Sequence, residues 1–399
     1  MFEQAHVPTS RCHLRVLVVH NAYQHRGGED SVMEAEAALL SSHGHTVELF
    51  ARHNDSIDQM SRFVTAAQAI WSSQVAHEFE QLLVAFKPDV VHVHNTFPLI
   101  SPAIYWVMSR LNVPAVQTLH NFRLLCPQAT FLRESKVCED CLGKVPWRGV
   151  VHGCYRDSRL QSAVLAGLVT FHRGIGTWQN KVTRYIALND FCRIKFIEGG
   201  LPATRIVIKP NFVDFDAPTV TRRDGFLFVG RLSVEKGVGV LVAAAKAILG
   251  AQIRVAGSGP HAKLLAESSR ITALGALSID LVRSEMSRTV ALVVPSICLE
   301  TFGLVVVEAF ASGAPVIASR IGALSDLVKE GVTGILFEPG NAQDLAQKLL
   351  WAQQHPAEMA QMGRNARAQY EAEFTAERNY GQLMAIYSDA IDAVKTTSQ

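Results

Sequence analysis

The sequence predicts an α/β protein built as two doubly wound halves, each a parallel sheet covered by helices on both faces. Three observations lead there. Short runs rich in Val, Ile and Leu alternate with helical segments along nearly the whole chain, as strands buried on both faces require. The 399 residues exceed the roughly 250–300 that one hydrophobic core usually serves. Gly199-Gly200-Leu201-Pro202 and Lys209-Pro210-Asn211 punctuate the middle, and a new strand series begins after Asp224. Two domains are therefore expected, 1–205 and 206–374.

The elements read in order as follows. Leu14–His20 is a β-branched buried strand. A loop with Gly27-Gly28 follows, and Ser31 with Glu34 reads as a capping box opening a helix that ends near Gly44. Thr46–Phe50, Asp89–His94 and Val113–Leu119 are further strands. The second half repeats the pattern with strands at Gly225–Gly230, Gln252–Ala256, Ala291–Val294 and Pro315–Ala318. Helices are expected at about Val238–Leu249 and before Ser312-Gly313. A last helix at about Thr375–Ile391 carries Tyr380, Leu383, Met384, Tyr387 and Ile391 at helical spacing, a stripe that needs a groove.

Composition bounds the function. An apolar share of 48% and a charged share of 19% suit a packed globular chain, and a net charge of +2 gives no global signature of nucleic-acid binding. Ser101–Gly200 carries 13 Lys and Arg against 6 Asp and Glu, a local excess of +7. That stretch is either a solvated face or one that meets phosphates or an anionic membrane. Met1–His20 has polar residues where a signal peptide needs an apolar stretch, and Ala163–Phe171 is too short for the ~20 residues of a membrane span. The location expected is cytoplasmic, with peripheral contact at the inner face of the plasma membrane as the variant.

The chemistry concentrates in Pro295–Phe310, where Glu300 and Glu308 flank Thr301-Phe302-Gly303-Leu304. This loop leaves the C-terminal end of a strand, where open α/β sheets bind ligands. The unpaired N–H groups that open the next helix suit a phosphate or a sugar hydroxyl. Glu308, on an apolar helix, needs a partner such as ribose hydroxyls, or else is a stripe residue. Arg231 and Lys236 suit a diphosphate, one as a fork and one as a point charge, and together can stabilise a departing nucleoside diphosphate without a metal.

These segments resemble glycosyltransferase family 4. Glu300 to Glu308 looks like its E-x7-E signature, Gly230-Arg231-Leu232 through Lys236-Gly237 its G-R-L-x-x-x-K-G segment, and Gly257-Ser258-Gly259-Pro260 its G-x-G-P turn. Gly27-Gly28 resembles the glycine loop that lies against the donor, although Glu29-Asp30 after it departs from the pattern. His120 matches the histidine that touches the donor sugar. The resemblance implies the GT-B fold, two Rossmann-like domains facing a cleft, with the helix at 375–399 packing back on the first. It further implies retention of anomeric configuration, no cofactor for catalysis, a UDP- or GDP-sugar donor and a glycan or lipid-linked acceptor. The site residues it implies are His120, Glu300, Arg231 and Lys236 for catalysis. Donor binding falls to Gly27, Gly28, Arg231, Lys236, Glu300, Thr301, Phe302, Gly303, Leu304 and Glu308. The setting implied is bacterial exopolysaccharide, capsule or lipopolysaccharide synthesis. A nucleotide-sugar epimerase, a sugar phosphorylase or a non-catalytic nucleotide-sugar binder would use a similar fold.

Cys126, Cys138, Cys141 and Cys154 form a separate C-x11-C-x2-C-x12-C pattern in a polar, basic stretch. Structural zinc, an iron–sulfur or redox role, and unliganded thiols all suit it; four thiolates would leave zinc no open catalytic position. The pattern also resembles a cysteine-containing insert found in a bacterial subset of the family. A zinc-bearing nucleic-acid binder is the reading from another class. Cys12, Cys192 and Cys298 read as ordinary residues, Cys298 near enough to Glu300 to sense alkylation.

Overall fold

A computed structural model describes residues 13–24, 26–55, 61–214, 222–248, 250 and 252–397. Cys12 and the start of the chain lie outside them, as does Leu249. The first lobe is a six-stranded sheet of β1 (Arg15–Ala22), β2 (Thr46–His53), β3 (Val90–Val93), β4 (Ala115–Thr118), β7 (Arg184–Ala187) and β8 (Ile206–Ile208). A two-stranded hairpin of β5 (Leu132–Arg133) and β6 (Lys136–Val137) lies apart. The second lobe is a six-stranded sheet of β9 (Phe226–Val229), β10 (Ile253–Ala256), β11 (Ile271–Gly275), β12 (Ala291–Val294), β13 (Val316–Ser319) and β14 (Gly334–Phe337).

The strand orders are 2-1-3-4-7-8 and 11-10-9-12-13-14. Every pairing within the two large sheets is parallel. In each lobe the chain runs outward from one strand and then returns to that strand's other side. The crevices so formed lie at the C-terminal ends of β1 and β3 and of β9 and β12, where doubly wound sheets take their ligands. The sheet centres are close to fully buried: Val16, Leu17, Val19, Val90, Val91, Leu227, Leu292 and Val316 show no exposure. That is why these strands read as continuous apolar runs with no alternation.

Three boundaries differ from the sequence reading. The first helix spans Gly28–Ser42 with Gly27 as N-cap, four residues ahead of Ser31. Asp30, not Glu34, reaches back: its Oδ2 accepts from the Gly27 N–H at 2.8 Å. Asp30 is buried and fixed by His20 at 2.7 Å, so the turn closes on it, while Glu34 pairs with Arg26. Strand β8 pairs with β7, which carries the first sheet past residue 205, because Ile206 buries against that core. The last helix runs Ala376–Thr397, and its Leu383, Ile386, Tyr387 and Ala390 pack on Val16, Val18, Val90, Val116 and Ile186 of the first sheet.

Candidate active site

In the second lobe, β9 delivers the Arg231–Gly237 loop and β12 delivers the Pro295–Gly303 loop to the same edge. The two loops are laced together. Ile297 N–H donates to the Glu235 carbonyl at 3.0 Å. Gly237 sits at φ +70 so close that an added Cβ would lie 1.8 Å from the Pro295 carbonyl oxygen, a place only glycine can occupy. The Gly257–Pro260 turn supports the first loop from below: Leu232 N–H donates to Ser258 O, and His261 N–H to Leu232 O, both at 2.9 Å.

This lacing brings Lys236 and Glu300 together, which their 64-residue separation hides in the sequence. Lys236 Nζ donates to Glu300 Oε1 at 2.6 Å, and Ser296 Oγ to the same oxygen at 2.7 Å. Burial alone would raise the Glu300 carboxyl, but Lys236 outweighs it and the carboxyl ends below the ordinary range. Burial likewise opposes the Lys236 charge, and Glu300 overrides it, so the ammonium is held more firmly. Arg231 is exposed at the mouth, without an ion pair among the described residues. Glu308, on the helix Leu304–Ala311, makes no carboxyl hydrogen bond among the described residues, and burial lifts it to about 7 against the pull of Arg283. The backbone N–H groups of Thr301 to Val305 donate to no carbonyl among the described residues, an open helix start of the kind that receives anions.

Of the remaining expected residues, Thr301 and Phe302 have structural partners. Thr301 Oγ1 donates to the His120 carbonyl at 2.6 Å, and its own carbonyl accepts from Asn189 and Cys192. It therefore ties the two lobes together. Phe302 is buried against Phe374, so only its backbone can face a ligand. Gly303 is the helix N-cap at φ +90.

Across the crevice, Gly28 stands over the same helix: a Cβ added there would lie 4.0 Å from Leu304 Cδ2. Gly27 is extended, at φ −125, and neither glycine adopts a left-handed turn. Glu29 does not face solvent as a free carboxylate. It accepts from Tyr23 OH at 3.0 Å and Asn121 Nδ2 at 3.2 Å, and burial lifts it to about 7. That removes much of the repulsion two carboxylates would present to a phosphate. His120 follows β4 and is half-buried; its ring is held neutral, pushed down to about 3 chiefly by burial.

Behind His120 lies a polar network that the sequence reading missed. His94 Nδ1 and His120 Nε2 are 2.9 Å apart, and His92 is bonded to Tyr387 OH and Thr118 Oγ1, each at 2.8 Å. Glu36 Oε1 accepts from Lys209 Nζ at 2.5 Å, and Lys209 also donates to Asn379 at 3.2 Å. Glu36, Lys209, His92 and His94 are all buried. The His-x-His spacing at the end of β3 was the one signal that could have flagged it.

The four expected metal ligands, Cys126, Cys138, Cys141 and Cys154, line one cavity of about 10 Å³, room for a single ion or water. Burial lifts the thiols of Cys126, Cys141 and Cys154, Cys126 to about 11. Among the described residues the group of three or more ligand atoms within 4.8 Å of one another is Glu36, His92 and His94; no three of the sulfurs are drawn that close. The segment reaches the Pro295–Gly303 loop: Leu299 N–H donates to Thr130 O at 3.2 Å, and Leu132 packs on Ile297 and Cys298. Cys298 is 3% exposed and lifted by burial to about 12, so it is no ready target for alkylation.

Two parallel-sheet lobes with loops converging on a shared crevice define the GT-B fold. Residues 26–217 match the model described as Glycosyltransferase Family 4, and residues 223–355 that of Glycosyl transferases group 1. A D-inositol 3-phosphate glycosyltransferase of Mycolicibacterium smegmatis is 32% identical over 92% of this chain and 87% of its own. An uncharacterized glycosyltransferase of Methanocaldococcus jannaschii is 34% identical over 42% of this chain; there the chain spans about half of the relative, 48%. The crystal structure of HepE from Anabaena, in complex with UDP, superposes with a TM-score of 0.67 at 18% identity, covering 94% of this chain and 100% of that one. The chain belongs to glycosyltransferase family 4. No helix among the described residues is long and apolar enough to cross a membrane.

Proposed function

We propose that the chain transfers a hexosyl-type sugar from a UDP- or GDP-sugar to a glycan or lipid-linked acceptor, with retention at the anomeric carbon. The observation that carries this reading is the Lys236–Glu300 pair beside an open helix start, with Gly28 and His120 facing it. In this reading Arg231 and Lys236 hold the diphosphate and stabilise it as it departs. Glu300, oriented by Lys236 and Ser296, and the N–H groups after Thr301 hold sugar or phosphate oxygens. Glu308 takes the ribose hydroxyls. His120 meets the sugar from the first lobe, and Gly27-Gly28 lets the backbone approach it. The bond from the anomeric carbon to the phosphate oxygen breaks with its electrons on the diphosphate. The acceptor hydroxyl bonds to the same face of that carbon and releases its proton. No side chain is assigned as the base. UDP bound to HepE supports a uridine donor, and a setting in bacterial surface-polysaccharide synthesis at the cytoplasmic membrane face fits the family.

The first lobe's excess of basic residues supports membrane contact only in part, because several of them are internally paired: Arg133 with Asp140, Lys195 with Glu139, Arg184 with Asp389. For the cysteine cluster the reading is a structural zinc that draws the four thiols inward. Metal analysis of the purified protein tests it: about one zinc per chain, lost in Cys138→Ser/Cys141→Ser, supports the site, and a metal-free protein of unaltered melting removes it. For the donor, a thermal-shift panel of UDP, GDP, ADP and their sugar conjugates is decisive. Stabilisation by one nucleotide family, lost in Lys236→Ala, supports the reading; no stabilisation by any of them contradicts it.

A further inference from the structure

The network behind His120 has an order that hydrogen-bond geometry can read. His94 Nδ1 and His120 Nε2 are 2.9 Å apart, so one must donate and the other accept. On the far side of the His94 ring, Nε2 lies 3.6 Å from Glu36 Oε2, and both atoms are buried without a hydrogen-bond partner; His92 Nδ1, already bonded to Tyr387 OH, stands 3.7 Å from the same oxygen. With its proton on Nδ1, His94 would turn the Nε2 lone pair toward a carboxylate oxygen in a water-free pocket, an unfavourable meeting of two acceptors. With the proton on Nε2, both orphaned atoms face a complementary group. His94 Nδ1 is then the acceptor, and His120 must donate from Nε2. That leaves Nδ1 of His120 with a lone pair, on a half-buried ring, making no hydrogen bond among the described residues.

We propose that His94, oriented by the buried Glu36, is a positioning residue that fixes His120 as its Nε2–H tautomer, so that His120 Nδ1 accepts a hydrogen bond from a hydroxyl of the donor sugar. The sugar contact rests on the proposed function; the tautomer does not. Burial holds both rings neutral, which gives each a single N–H to place. Glu36 is anchored from behind by Lys209, itself bonded to Asn379 of the terminal helix and adjacent to Pro210 of the interlobe connection. A metal ion at Glu36, His92 and His94 fits these groups poorly. The Lys209 ammonium lies 2.5 Å from Glu36, and both His92 nitrogens are already bonded. The Glu36–Lys209 pair therefore orients the relay.

Long-range proton–nitrogen correlation spectra of the full chain, labelled with ¹⁵N-histidine, read the tautomer directly, and His120→Gln assigns the signals. The proposal expects a protonated Nε2 and a bare Nδ1 on His120 in the free protein. His94→Ala should lose the single tautomer. It should also weaken UDP-glucose, or the conjugate of whichever nucleotide binds, by roughly tenfold while sparing the bare nucleotide. His94→Asn, whose amide oxygen can stand near Nδ1, should restore most of both. A proton on His120 Nδ1 in the wild type, which needs no variant to fold, overturns the proposal, as does an unchanged tautomer in His94→Ala. If the tautomer is as stated but the sugar conjugate binds no better than its nucleotide in any variant, the sugar contact falls and the relay stands.

Discussion

The two lobes share a topology and present opposite kinds of site. The second lobe meets the crevice with charge near the surface: Arg231 exposed, Lys236 and Glu300 paired at 34% and 14% side-chain exposure, and an open helix start. The first meets it with a carboxyl lifted to about 7, about half protonated near neutral pH, and a histidine ring held uncharged. Its charges, Glu36 and Lys209, lie behind the surface at 1% and 0% exposure. A diphosphate needs cations that it can reach, whereas a sugar needs oriented hydrogen bonds and the absence of competing charge. In the proposed reading the difference divides a donor between the two halves, by how deeply each half buries its ionised groups.

Breaking the buried charge of the first lobe should have the largest effect. Lys209→Met leaves the Glu36 carboxylate buried without its ammonium, a loss of about 3–5 kcal/mol. Hydrogen exchange along Val16–Val19 in β1, which lies in the same sheet as His92, reads it. Glu36→Gln together with Lys209→Met should recover most of the protection, and a single variant as stable as the parent would mean the pair is not sealed from water. In the second lobe, Lys236→Ala should slow transfer by roughly 10²–10³-fold, since it removes stabilisation of the departing diphosphate. Measured turnover within threefold of the parent would take Lys236 out of the reaction.

Glu308 sharpens the contrast with a smaller effect. Glu308→Ala should weaken nucleotide binding by about 1–3 kcal/mol in titration calorimetry, and unchanged affinity would remove it from the site. Its pH dependence has a definite sign. The free carboxyl sits up at about 7; in the proposed reading ribose hydroxyls donate to the ionised form, so binding would pull that value down. Affinity should therefore climb from about pH 6 to about pH 8 and then level, by up to about tenfold for each unit the value falls on binding. Glu308→Gln should flatten the profile; a slope left belongs to Glu29, which burial also lifts to about 7, or to the terminal phosphate of the nucleotide, which titrates at about pH 6.

The fold was legible because buried parallel strands leave unbroken apolar runs, and the second lobe's residues because a fixed spacing along one loop and helix carries them. Spacing could not say that Lys236 and Glu300 pair, nor that the Thr301 hydroxyl is taken by the His120 carbonyl, since both meetings depend on how distant loops fold together. The first lobe was harder to read. Glu36, His94, Lys209 and Asn379 come from four separate elements, and each alone resembles an ordinary surface or turn residue. Gly27 was read as the approach to a helix capped at Ser31, whereas it caps that helix itself. The misreading arose because Asp30, gripped by His20 across the strand end, starts that helix early.

The division of labour between the lobes is tested most directly by calorimetric affinities for a nucleoside diphosphate and for its sugar conjugate, measured on the wild type, Lys236→Ala and His120→Ala. The account predicts that Lys236→Ala weakens both ligands alike and that His120→Ala weakens the sugar conjugate alone. Equal loss of the two ligands in His120→Ala, or an undiminished affinity for the diphosphate in Lys236→Ala, would contradict it.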